Sequence, residues 1–159
     1  VDAAAAADVV VITVPYAAHE AILESIKDVV QGKIVVDVSV PLLPPHVRTV
    51  HIPAGKAASL EAQAILGDGA CVVAAFQNIS AHLLNDLRHP VNSDVLFCGD
   101  DDEAKDNVLQ LIEAIDGMRG VDAGPLVNAV AVEALTPVLL YINKRYKISG
   151  AGIRITGLE

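Results

Sequence analysis

Apolar residues recur along this chain in two alternating patterns. Short, continuous β-branched runs (Asp8–Pro15, residues 33–38, 71–76 and 94–99) alternate with stretches of helical period. A strand with no polar face belongs in a parallel sheet covered on both sides, so the runs predict an α/β fold. Between the first two runs, residues 17–31 form a predicted helix. It carries Ala18, Ile22, Ile26, Val29 and Val30 on one face, and Gly32 is its stop. Further helices are expected over 56–67, from Asp100–Glu103 to Ile115, and from Gly124-Pro125 to about Tyr146. The last is apolar nearly all round, with Pro137 expected to kink it and Glu133 and Pro137 to argue against a membrane span. Gly120–Ala123 is a short final strand. Four prolines between Pro41 and Pro53 make the loop after the second strand extended and stiff.

Composition narrows the class. A chain of 159 residues, 53% apolar and only 3% aromatic, predicts a single domain, 1–159, with an aliphatic core. The net charge of -9 argues against nucleic acid or an anionic membrane as partner. Cys71 and Cys98 lie inside apolar runs and read as buried thiols of a reducing, cytoplasmic compartment, with no disulfide expected. The five histidines show no zinc spacing and no carboxylate partner pattern, so each is expected at the surface and no metal site is expected. The acidic run Asp100–Glu103 reads as an N-cap. Lys144, Arg145 and Lys147 read chiefly as complements to a helix dipole, with an anion contact as the minority reading.

The informative chemistry sits in three turns. Val14-Pro15-Tyr16, Val40-Pro41-Leu42 and Phe76 to Ser80 end three consecutive strands. In a parallel sheet these carboxyl ends share one edge and line a common crevice. Tyr16 offers a stacking face, Pro41 a wall, and Gln77 and Asn78 amide groups. No acid or base stands out. That suits hydride transfer between two cofactor rings, where holding the reacting carbons about 3–3.5 Å apart carries the rate.

Ordered markers add a resemblance along almost the whole length. They are Ile12-Thr13-Val14-Pro15, Val73 to Ala81, Gly99-Asp100-Asp101-Asp102, Ile115 to Arg119, Asp122 to Leu126, Asn128, and Val132 to Pro137. The chain resembles the F420-dependent NADP oxidoreductases. The resemblance implies a Rossmann-like fold and hydride transfer between NADP(H) and the deazaflavin coenzyme F420. It also implies a homodimer. The nicotinamide is expected near Pro15, Tyr16, Val40 and Pro41, and the deazaflavin near Gln77, Asn78, Ile79, Ser80, Ala81 and the chain's end. Glu20 completes the expected cofactor-binding set. The family pattern commonly has His at the Gln77 position and Pro at the Ser80 position. Its opening strand, Gly-rich turn and NADP-phosphate residues have no counterpart in these 159 residues. The expectation is therefore an N-terminally incomplete Rossmann-type domain, the C-terminal two-thirds or more of a reductase, with Asp8–Pro15 as its fourth strand and weak affinity for NADP by itself. The alternatives are another NAD(P)-dependent reductase of a small substrate, which needs a Lys, His or Asp in the crevice, or an inactive dimerisation or binding module.

Overall fold

The computed structural model describes residues 1–158. Helix α1 (Asp2–Ala6) leads into strand β1 (Val9–Ile12) and helix α2 (Tyr16–Ile26), which is extended by a 3-10 turn to Val29. Then come β2 (Ile34–Asp37), α3 (Ala58–Leu66), β3 (Cys71–Ala74), α4 (Ala81–Leu84), β4 (Ser93–Gly99), α5 (Asp102–Glu113), β5 (Met118–Asp122) and α6 (Ala129–Tyr146). The sheet runs in chain order from β1 to β5. β1, β2 and β3 are parallel neighbours, as the apolar runs predict. β4 is antiparallel to β3, and β5 is parallel to β4. The sheet is thus mixed and mostly parallel.

Helices cover both faces, giving two aliphatic cores. On one face Leu23 and Ile26 of α2, Ala62 and Leu66 of α3, and Val132 of α6 pack with Val35, Val72 and Cys98. On the other, Ala104, Val108 and Ile112 of α5 pack with Val36, Val73, Val95 and Phe97. Alternate residues of each strand feed the two sides, as the pleat requires.

Among the described residues β1 ends the strand order, and Val11 is 49% exposed. Two sequence expectations are corrected. The buried face of α2 is His19, Leu23 and Ile26, one position round from the Ala18 and Ile22 face. Pro137 and Glu133 do not interrupt α6, and Leu126–Tyr146 is long and apolar enough to cross a membrane by length and composition. Only a third of that stretch is buried, although Leu126, Ala129 and Val132 lie in the core. The acidic run behaves as expected: Asp101 caps α5 by accepting the Ala104 N–H at 2.7 Å. Both cysteines are free, and burial pushes the Cys98 thiol up to about 12.

Two buried carboxylates tie distant elements together. Glu133 of α6, 2% exposed, receives the Ala58 and Ser59 N–H groups and the Ser59 hydroxyl at the start of α3. A carboxylate can thus satisfy donors that a helix N-terminus leaves unpaired. Burial outweighs those donors and lifts the Glu133 carboxyl from 4.5 to about 7. Asp94 of β4 is held down from 3.8 to about 2, first by Arg119 and then by the Ile155 N–H and Arg154. It thereby fastens the C-terminal tail to the sheet.

These two groups have opposite signs. Asp94 contributes stability above pH 3.8 that is lost as pH falls toward 2. Glu133 keeps its proton in the folded state while the unfolded chain releases it. Stability therefore falls between pH 4.5 and 7, by an amount on the order of 3 kcal/mol. Urea unfolding across pH should show a maximum near pH 4–4.5. Glu133→Gln should flatten the fall between pH 4.5 and 6.5 and leave the acid limb in place.

Candidate functional site

Parallel strands β1, β2 and β3 bring their carboxyl ends to one edge, and the turns that follow enclose a crevice of about 610 Å³. Thr13 to Ala17 come from the first turn, Val38 to Val40 with Leu42, Pro44 and Val47 from the second, and Phe76 with Ile79, Ala81 and Leu84 from the third. The wall is aliphatic and aromatic. Tyr16 is its only ionisable side chain among the described residues.

Of the ten residues expected to contact cofactor, Pro15, Tyr16, Val40, Ile79 and Ala81 line this crevice. Gln77, Asn78 and Ser80 line an adjoining cavity of about 230 Å³, shared with Thr136, Leu139, Leu140 and Asn143 of α6. Ile79 and Ala81 border both spaces. Pro41 is buried behind the crevice, against Val130, Glu133 and Ala134. Glu20 is exposed and lines a second hollow, between α2 and α3, that shares Tyr16 and Ala17 with the crevice.

Most polar handles near the crevice are already engaged within the protein. The Tyr16 hydroxyl donates to Glu61 at 2.7 Å, and burial together with that carboxylate raises its pKa. Asn78 donates to the Asp94 carbonyl and accepts the Leu96 N–H, which joins the third turn to β4. Ser80 donates to the Ser149 carbonyl. Gln77 is different. Its Nε2 donates to the Asp37 carbonyl at 2.7 Å, while Oε1 is buried and accepts nothing among the described residues. A buried unpaired acceptor costs about 1–3 kcal/mol, so it marks a position where a donor is missing. The backbone beside it is strained as well. Phe76 has φ +70°, a left-handed conformation uncommon for a bulky side chain. The Thr136 hydroxyl on the Gln77 carbonyl helps hold that turn.

The sequence reading missed the group beneath the crevice. His19, expected at the surface, is 2% exposed, and its Nε2 lies 2.8 Å from Asp37 Oδ2. Asp37 is fully buried at the end of β2, and its other oxygen accepts the Ser39 N–H at 3.0 Å. Burial alone lowers the His19 pKa, but the hydrogen bond and charge of Asp37 outweigh it and the net shift is upward. The signal was present in the sequence: His19, Leu23, Ile26 and Val30 share one helical face, and Asp37 interrupts an apolar strand. No cluster of metal-ligating side chains occurs among the described residues.

Removing His19 leaves a buried carboxylate without its cation. His19→Ala should lower unfolding free energy by about 3–5 kcal/mol in urea at pH 6. Arg88→Ala, which opens the exposed pair with Asp86, should change it by less than about 1 kcal/mol. The His19 contribution is fully present below pH 6.5 and is lost as pH rises through the higher folded-state value. The difference between the two proteins should therefore narrow in alkaline solution without vanishing, because the neutral imidazole still fills its buried site and can donate to Asp37.

Known proteins resemble this chain in sequence and in fold. A family model described as NADP oxidoreductase coenzyme F420-dependent matches residues 1–41, from α1 through the turn after β2. The F420-dependent NADP reductase of Methanocaldococcus jannaschii is 41% identical over 162 residues, covering 99% of this chain and 72% of that protein. The F420-dependent NADP reductase of Methanothermobacter thermautotrophicus is 42% identical over 161 residues, covering 99% of this chain and 69% of that protein. Among solved structures, a putative F420 dependent NADP-reductase from Arthrobacter sp. FB24 superposes with a TM-score of 0.82 over 98% of this chain and 72% of that one. At 24% identity, that match bears on the fold. At this level of identity across nearly its whole length, the chain belongs to the family of F420-dependent NADP reductases.

Proposed function

We propose that this chain carries the hydride-transfer crevice of an F420:NADP oxidoreductase, with Pro15, Tyr16 and Val40 against the nicotinamide and Ile79, Ala81 and Gln77 against the deazaflavin. The observation that carries the site assignment is the pairing of an apolar 610 Å³ crevice with the unpaired Gln77 Oε1 beside it. Two flat rings need apolar walls and a few fixed polar groups, and the volume lies in the usual range for ligand pockets. When bound, the two cofactors supply the redox chemistry: NADPH gives a hydride, and F420 takes it together with a proton from water. The chain's own work is geometric. Its three turns hold the rings in register, the aliphatic wall excludes water, and Gln77 Oε1 accepts a hydrogen bond from a ring N–H. Asn78 and Ser80 act through the turn they brace, and Pro41 supports Val40 from behind. A small-substrate reductase would need a proton donor facing the crevice, and among the described residues none of its lining is Lys, His, Asp or Glu.

We read the 159 residues as one domain, working in the cytoplasm as a homodimer. Exposed Val127, just before α6, and Val138 on α6 are the apolar side chains that favour self-association.

The test combines F420 binding, followed by perturbation of the coenzyme's absorbance, with NADPH-driven loss of that absorbance. Binding should be saturable and reduction should follow. Tyr16→Ala and Ile79→Ala should each lower kcat/KM by roughly 10–100-fold, because misplaced rings lose near-attack geometry. Failure of the unsubstituted protein to bind F420 saturably would overturn the assignment. Light scattering at about 10 μM should give twice the chain mass, well above a typical dimer's dissociation constant.

A further inference from the structure

Among the described residues, four of the eleven lysines and arginines, Arg88, Lys105, Arg119 and Arg154, pair with a carboxylate, in each case an aspartate. Arg48, Lys144 and Arg145 do not. They line one surface groove of about 570 Å³ with Thr49 and Tyr141, and no carboxylate among the described residues comes within ion-pair distance of any of the three. In a chain of net charge -9, three unopposed cations on one concavity are unexpected. The helix dipole accounts for part of this. Lys144 and Arg145 sit in the last turn of α6, whose carbonyl end carries about half a negative charge. Arg48 is not on that helix. It arrives on the stiff loop between β2 and α3, and it adds a like charge that the dipole does not need. Like charges brought together raise the energy of the empty groove, and an anion relieves it. Chain neighbours of the groove residues reach the crevice and the cavity beside it. Val47, next to Arg48, lines the crevice, and Leu140 and Asn143, next to Tyr141 and Lys144, line the adjoining cavity.

We propose that Arg48, Lys144 and Arg145 form an oxyanion-binding groove for phosphate or carboxylate groups, carried on the tail of the ligand whose ring occupies the crevice. Arginine supplies a planar fork that fits either oxyanion, and Lys144, Thr49 and Tyr141 add single donors. The anion site stands on the groove alone, whereas its assignment to a ligand tail rests on the cofactor reading above.

Backbone amide NMR of the 159-residue chain tests both parts, with pyrophosphate and triglutamate as separate probes to distinguish phosphate from carboxylate. At least one probe should shift the amides of Arg48, Thr49, Tyr141, Lys144 and Arg145 saturably. Binding should weaken between about 20 and 200 mM salt. Arg48→Glu and Arg145→Glu, both at exposed positions, should each weaken it about tenfold or more, as expected for losing a charge-assisted contact and gaining a repulsion. No saturable shift at these amides, or shifts that neither substitution changes, overturns the anion site. Titration with F420 separates the second part. Crevice amides of Tyr16 and Ile79 that shift with about tenfold lower affinity in Arg48→Glu support the tail assignment. Unchanged affinity overturns it. Absence of those shifts in the unsubstituted chain, with pyrophosphate still bound in the groove, counts against the cofactor reading and leaves the anion site standing.

Discussion

The crevice depends on one buried carboxylate. Asp37 ends β2, and three of its oxygens face three different partners. One side-chain oxygen meets His19 of α2, the other takes the Ser39 N–H, and the carbonyl accepts from Gln77. The helix after β1, the turn after β2 and the turn after β3 therefore converge on a single residue. An isolated carboxylate could not remain ionised there, since the cost of burying a charge runs to several kcal/mol. His19 makes it tenable, and the geometry of all three turns follows from that pair.

Much of this could be read from the chain, and the parts that could not share a cause. The strands were legible because doubly covered strands read as continuous apolar runs, and the crevice followed because β1 to β3 are parallel. The Asp101 cap was legible because capping is local. The His19–Asp37 and Glu133–Ser59 ties span 18 and 74 residues, so local spacing can mark a buried helical face or a polar residue inside a strand but not which two groups meet. The face of α2 was misplaced by one position because Ala18 and Ile22 compete with His19 and Leu23, and an imidazole counts as polar in any periodicity. Gln77 and Asn78 line the cavity that adjoins the crevice. Which of their amide atoms would be left over depended on Asp37 and Asp94, both remote in sequence.

α6 shows how one helix can carry two roles. Its inward edge supplies Glu133 to α3 and Thr136 to the strained turn at Phe76 and Gln77. Its outward edge is left apolar. Because the same helix braces α3 and the third turn, anything that covers the outer edge acts on the crevice through rigid packing alone.

The reversal of β4 has a practical meaning. β1 to β3 point their carboxyl ends toward the crevice, while β4 and β5 point theirs the opposite way, toward Asp101, Lys105 and Asp122. That far end is held by surface pairs and a helix cap, with no part of the crevice near it. It is therefore the end by which the protein can be tethered to a support or fused to a carrier while the cofactor entrance stays open to solvent.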